Sequence, residues 1–430
     1  MNFPNIIPPH HENNLGNAPA PIVQPQPAPA QAIFQATYPQ NFNPPVSCRA
    51  KAWKAAKIIL AIIIIPIGIA WVAKKILCLI VLCILKKTFG GIEQIILPAL
   101  AYNKDDALIK ADCERRDSIF ANPNSAVYRT VHLELKTPDG VILDGALIWR
   151  LKEKEAADEY KKNGSNVFQN SNWIIKCNGN GEFYESKLNE SRIETYSRNC
   201  NILVFNYRGV LGSEGYPRCS RDLALDCHTA YQFLDSQGAN VVLEGLSLGG
   251  GNGAQAAAFN PGAHMANLKS FSSLTDCVKG IVYSYVLKDR DDEGIPRLNY
   301  HPSCMRRTAA CIAACLAGWL TRNVLETANW EINTASVWNK ITGRKWIVTG
   351  THDHLMRGDG TLYKFLKRRL PGYKKVNKNN PNNASQIARN EELKKQLNSI
   401  KAKGAGHMDP LEGGAEQAHI QQLALAFGAA

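Results

Sequence analysis

Hydrophobic and polar positions along the 430 residues fall into three regimes. In Tyr128–Leu135 and Val141–Ile148 they alternate with a period of two, which marks half-buried strands. Thr137-Pro138-Asp139-Gly140 between them carries turn residues, so the pair predicts a β-hairpin. Short apolar runs then alternate with helical stretches. Strands are predicted over 172–177, 201–206 and 240–243, and helices over 222–236 and 249–259, followed by strands over 269–273 and 345–348. A leading hairpin followed by β/α alternation predicts a mainly parallel sheet with helices on both faces, spanning residues 118–430. No internal repeat is visible.

Upstream the pattern changes. Ile58–Ala73 is an uncharged run of sixteen residues, Lys74-Lys75 interrupts it, and Ile76–Leu85 adds ten more before Lys86-Lys87. A helix of that first length rises about 24 Å, short of a ~30 Å hydrocarbon core. One short span with snorkelling lysines, one tilted longer helix, and a hairpin turning near Lys74-Lys75 are all compatible with it. Ile62-Ile63-Ile64-Ile65 is apolar on every helical face, which argues against an amphipathic core helix. Residues 49–100 therefore read as a membrane-associated segment. Residues 1–48 hold eleven of the twenty-two prolines, no Lys or Arg, and one acid, Glu12, and read as a disordered or polyproline tail without the basic start of a signal peptide.

Charge sharpens this division. The net charge of +13 suggests nucleic acid until it is located, because residues 49–92 carry eight basic side chains and no acid. The excess flanks the greasy segment, which points to a lipid surface. No basic stripe with interleaved aromatics remains elsewhere, so nucleic acid is not an expected partner. The 45% hydrophobic and 20% charged content excludes a wholly disordered or polytopic chain. Twelve cysteines include no CxxC pair, and read as buried thiols in a reducing compartment.

The richest chemistry lies in Asn240-Val-Val-Leu-Glu-Gly245-Leu-Ser247-Leu248-Gly249-Gly250. A GxSxG pentapeptide alone is weak. On a strand–turn–helix it gains mechanical meaning: the glycines permit a sharp turn that pushes the serine hydroxyl out at the sheet's carboxyl edge. A serine hydroxyl needs a base, and the base needs an orienting acid. Downstream, Lys345-Trp-Ile-Val-Thr-Gly-Thr-His-Asp353 puts a loop acid beyond a strand. Lys403-Gly-Ala-Gly-His407 then puts a histidine on a glycine-rich loop. His352 and His354 adjoin Asp353 too closely to receive its carboxylate, and His419 on the terminal amphipathic helix reads as solvated. Oxyanion donors are expected from the backbone N–H of Leu248 and from Asn180 or Gly181, in the loop Asn178-Gly-Asn-Gly181 that follows an early strand.

In this order the residues resemble the α/β-hydrolase superfamily of serine hydrolases. Asn178-Gly-Asn-Gly181 resembles the family's HGxG loop, and Asn206-Tyr-Arg-Gly209 with Gly212-Ser213-Glu-Gly215 resembles its DYRGxGxS segment. The elbow and the pair Asp353 and His407 complete the set. Two positions depart from the pattern: Asn178 stands where the family has His, and Asn206 where it has Asp. The hydrophobic stretch together with Ser272-Ser273-Leu274 is further similar to the chlamydial CHLPS proteins.

The resemblance implies an α/β-hydrolase fold with a helical cap insertion over 276–340, which sets substrate choice. It implies a Ser247–His407–Asp353 triad cleaving an acyl ester or thioester, on a lipid or an acylated protein, with no metal or organic cofactor. The chain is expected at a membrane, its hydrolase domain facing the cytoplasm or a host cytosol. The rival expectation is a catalytically silent scaffold that tethers or remodels a membrane. A second insertion, 374–384, reads as a solvated loop.

Overall fold

The structure, a computed structural model, describes residues 34–35, 64–103, 105–121, 128–163, 167–188, 199–287, 303–353, 355–356, 360–376 and 383–428. Its strands are β1 (Phe34–Gln35), β2 (Tyr128–Lys136), β3 (Ile142–Arg150), β4 (Asn172–Cys177), β5 (Asn201–Phe205), β6 (Asn240–Leu246), β7 (His264–Leu268), β8 (Lys345–Gly350) and β9 (Ser399–Ala402). They form one sheet in the order β1-β2-β3-β5-β4-β6-β7-β8-β9. β2 and β3 are the expected antiparallel hairpin, with Tyr128 opposite Arg150 and Lys136 opposite Ile142. β3 is also antiparallel to β5, and from β5 to β9 every neighbouring pair is parallel.

Alternate side chains of the central strands enter two cores. Trp173, Ile175, Leu203, Phe205 and Leu243 pack on one face with the helices Ser220–Asp235 and Leu248–Phe259. Ile174, Ile202, Val204 and Val242 pack on the other with Tyr184 and the terminal helix Gly413–Ala426. Burial on both faces is why these strands read as near-continuous apolar runs rather than alternating ones.

The strand order locates the site before any catalytic chemistry is considered. The chain leaves β4 toward β5 on one side and leaves β6 toward β7 on the other, so β4 and β6 are the adjacent strands from which it departs in opposite directions. Ligands of such sheets bind in the crevice beyond the carboxyl ends at that switch. The loop after β4 begins at Asn178 and the turn after β6 is Ser247.

Some elements differ from the sequence reading. The strand expected over 269–273 is instead β7, five residues earlier, because Lys269 takes a left-handed φ of 46° that turns the chain off the sheet. The short edge strands β1 and β9 carry too little pattern to be read. Within the predicted cap, the helices Leu274–Leu287 and Cys304–Ala328 pack against each other. Among the described residues, Cys304–Ala328 is the helix long and apolar enough to cross a membrane by length and composition. The upstream helix Ile64–Phe89 runs unbroken through Lys74-Lys75 and also contacts Cys304–Ala328. Cys83, Cys304, Cys311 and Cys315 are exposed, contrary to the expectation of buried thiols, because they lie on outer faces of these two helices. Of the Pro-rich tail, Phe34–Gln35 is described, as a parallel partner of β2. The rest of the tail, residues 49–63, the charged loop 288–293, His354 and residues 377–382 lie outside the described residues.

Candidate active site

Strand β6 ends at Leu246, and Ser247 is the N-cap of the helix Leu248–Phe259, with φ 53° and ψ −115°. A side chain in that region costs of order 1–3 kcal/mol and persists only where its surroundings enforce it. Three hydrogen bonds do so: Ser247 N–H to the Leu268 carbonyl at 3.0 Å, Ser270 Oγ to the Ser247 carbonyl at 2.6 Å, and Gly250 N–H to the same carbonyl at 3.0 Å. The flanking glycines are required by contact. A Cβ on Gly245 would lie 2.2 Å from the carbonyl carbon of Gly249, and one on Gly249 would lie 2.0 Å from the Cys177 carbonyl oxygen. The helix therefore enters tight against β4 and β6, and the serine is driven outward at its positive end.

Asp353 lies three residues beyond β8 and is 3% exposed, while His407 lies on the loop between β9 and the terminal helix and is 2% exposed. Asp353 Oδ2 meets His407 Nδ1 at 2.9 Å, although the two residues are 54 apart in sequence. The second carboxylate oxygen accepts the N–H groups of Leu355 and Met356 at 3.0 and 2.8 Å, which fixes the carboxylate plane. The histidine loop is pinned from below by Lys269, whose Nζ donates to the Asp409 carbonyl at 2.6 Å, and by Gly406 N–H on the Asp409 carboxylate at 2.6 Å. Ser247 and His407 line the same cavity of about 660 Å³, together with Leu248 and Asn180. Gly181 is not among the lining residues; its carbonyl is held by the Tyr102 hydroxyl at 2.9 Å. His352 is exposed.

The two departures from the family pattern have local causes. Asn178 Nδ2 donates to the Phe205 carbonyl at 2.7 Å, so a carboxamide there ties the loop after β4 to β5. Asn206 is fully buried; its Oδ1 accepts Tyr184 N–H at 2.9 Å and its Nδ2 donates to Glu185 Oε2 at 2.8 Å. A carboxylate at 206 would lose that donor and face Glu185, whose own pKa burial already pushes above the ordinary range. Asn206→Asp is therefore expected to destabilise the fold by about 2 kcal/mol near pH 7 in urea melts. Like-charge burial raises the folded-state pKa values of such a pair, so the deficit should shrink as pH falls below the carboxylate range and protonation restores a donor. A deficit that stays constant with pH would reject the like-charge account.

Arg208, in the same segment, is 1% exposed and links the hairpin turn to the helix Ser220–Asp235. Its guanidinium donates to Asp226 at 2.9 Å and to Asp139 at 2.8 and 3.2 Å. Burial pushes Asp226 up to about 6 despite the adjacent Arg208 charge.

A second buried set has no counterpart in the sequence reading. Lys176 of β4 contacts Glu244 Oε1 of β6, and Glu244 Oε2 meets His419 Nε2 of the terminal helix at 2.8 Å. Trp346 Nε1 of β8 donates to His419 Nδ1 at 3.0 Å. His419 is fully buried, not solvated as its amphipathic helix suggested, because the helix turns that face onto the sheet. The strands joined here are those that lead to Asn178, Ser247 and Asp353.

No family model matches the chain, and no curated protein matches it. Among solved structures it is similar to an esterase from Pyrococcus furiosus, at 14% identity over 69% of this chain and 91% of that one, with a TM-score of 0.41. It is similar to an α/β-hydrolase from Vibrio vulnificus, at 15% identity over 69% and 80% of the two chains, with a TM-score of 0.39. It is also similar to a membrane phospholipase A that is a bacterial virulence factor, at 13% identity over 75% and 92%, with a TM-score of 0.40. At such identities and scores none of these assigns a substrate. The resemblance to α/β-hydrolases rests on the chain's own geometry, a strained serine at the β4/β6 switch on a cavity that His407 of the buried Asp–His pair also lines.

Proposed function

We propose that the protein is a membrane-associated serine hydrolase that cleaves an acyl ester or thioester. The observation that carries the reading is Ser247, held at φ 53° on a cavity that His407 shares, with His407 bonded to Asp353 at 2.9 Å. A scaffold has no need to hold a serine in a strained turn on the cavity that such a pair lines. Ser247 Oγ attacks the acyl carbonyl and its proton passes to His407 Nε2, while Asp353 holds Nδ1–H and balances the imidazolium. The backbone N–H groups of Leu248 and Asn180 face the charge that develops on the carbonyl oxygen. His407 then protonates the leaving alkoxide or thiolate. Water, deprotonated by the same histidine, hydrolyses the acyl-enzyme and regenerates the serine.

Membrane association is read from the helix Ile64–Phe89, whose Val72, Ile76, Leu79, Ile80 and Ile84 are exposed. Val81 and Leu85 of the same helix line the catalytic cavity, which supports a helix seated along the domain in one leaflet. Lys86-Lys87 at its domain-proximal end favour the cytoplasmic side, or a host cytosol for a chain with the chlamydial likeness. That likeness to the CHLPS proteins supplies no mechanism of its own.

A fluorophosphonate probe should label the wild-type full chain and miss Ser247→Ala. The same variant should lose about 10^5-fold or more in kcat on p-nitrophenyl esters. Equal labelling of both proteins would remove Ser247 as the nucleophile.

A further inference from the structure

The hydrophobic segment does more than lie near the domain; it contributes a wall of the catalytic cavity. Val81 and Leu85, one helical turn apart on Ile64–Phe89, line it, as do Ile92 and Ile96 of the short helix Ile92–Ile96. The facing wall is the cap, from the helices Leu274–Leu287 and Cys304–Ala328, including Ile281 and Leu325. Most of the residues lining this chamber are apolar, and its polar lining includes Ser247, His407, Asn180, Glu182 and Thr321. The same segment grips the oxyanion loop twice: Asn180 Nδ2 donates to the Ile96 carbonyl at 3.1 Å, and the Tyr102 hydroxyl donates to the Gly181 carbonyl at 2.9 Å.

On the reverse of this wall, Ile76, Ile80 and Ile84 repeat every four residues and are 50–55% exposed. One helix therefore presents a stripe to the outside and a stripe to the acyl chamber. Its diameter of about 10 Å is all that separates them.

Resting on the acyl-hydrolase reading above, we infer that the chamber walled by Val81 and Leu85 is the binding site for a long hydrocarbon acyl chain, supplied from the bilayer in which the outer stripe of the same helix sits. The carbonyl reaches Ser247 while the chain lies against the N-terminal helix and the cap. Short acyl groups do not extend along that wall and gain nothing from it. The helix thus selects acyl length as well as location, because each methylene buried against it adds to binding.

The test compares p-nitrophenyl palmitate with p-nitrophenyl butyrate, both presented to the full chain in phosphatidylcholine vesicles. Leu85→Trp and Val81→Trp each fill the chamber and should lower the palmitate-to-butyrate ratio of kcat/KM by about tenfold or more. Ile80→Trp, on the outer stripe, should leave the ratio unchanged. Fluorophosphonate labelling of each variant reports whether the elbow is intact, so a misfolded tryptophan variant is recognised and replaced by the milder Leu85→Phe. An unchanged ratio in variants that still label overturns the inference and leaves the hydrolase reading standing. So does an equal shift from Ile80→Trp. Failure of the wild type to label, or to cleave either ester, instead sinks the hydrolase reading itself.

Discussion

Asp353→Asn is expected to lower kcat by about 10^4-fold, with little change in KM or in thermal stability. The reason lies in the three groups bonded to the carboxylate. Oδ1 accepts the N–H groups of Leu355 and Met356, and Oδ2 meets His407 Nδ1. An Asn carboxamide keeps its oxygen on the two backbone donors, because an NH2 group there would face donors only. Its NH2 must then point at Nδ1, which becomes an acceptor, and the imidazole proton moves to Nε2. The histidine now presents N–H to Ser247 instead of a lone pair and cannot take the hydroxyl proton. His407→Ala should cost at least as much. The double variant Ser247→Ala/Asp353→Asn should be no slower than Ser247→Ala alone if, as proposed, the three groups act as one unit. Steady-state kinetics on a soluble short-chain ester decide it. A loss smaller than tenfold in Asp353→Asn would mean that another group orients the imidazole.

The same atoms show how far a sequence can be read. Ser247 was legible because its constraint is local: two glycines, a strand before and a helix after all lie within ten residues. Asp353 and His407 were legible more weakly, each as a chemical residue just past an apolar run, and their meeting needs β8 and β9 to be neighbours. What escaped were residues whose role depends on strand order. Lys176 and Glu244 are 68 residues apart and become partners because β4 lies beside β6 rather than β5 alone. His419 looked solvated because helical periodicity gives a face and not the identity of what covers it. The hydrophobic segment illustrates the same limit. Its composition announced an apolar helix, but nothing in the pattern distinguishes Val81 and Leu85, which reach the cavity, from Ile80 and Ile84, which do not. Asn178 and Asn206 stood out only as departures, and their partners Phe205 and Glu185 emerge from tertiary packing.

The second large effect concerns stability. Glu244→Ala is expected to destabilise the fold by about 3–5 kcal/mol at pH 7, because it leaves the Lys176 ammonium against β6 without its counter-charge. For a domain of this size that corresponds to a fall in Tm of roughly 10 °C. Burial alone would raise the Glu244 pKa, but the Lys176 charge and the His419 hydrogen bond outweigh it and hold the carboxyl well below the ordinary range. Trp346 N–H can only donate, so His419 Nδ1 accepts from it and Nε2–H donates to Glu244. A depressed carboxylate contributes stability that is complete above its unfolded pKa near 4.5 and is lost as pH falls toward the folded value. Wild-type stability should accordingly decline on acidification below about pH 4.5, and the difference from Glu244→Ala should narrow there. Because Glu244 directly precedes Gly245, the variant should also slow fluorophosphonate labelling of whatever fraction remains folded. Urea melts at pH 7 and pH 4 measure the first effect and labelling rates the second. A difference that is the same at both pH values would show that the ion pair is not what the sheet depends on at this point.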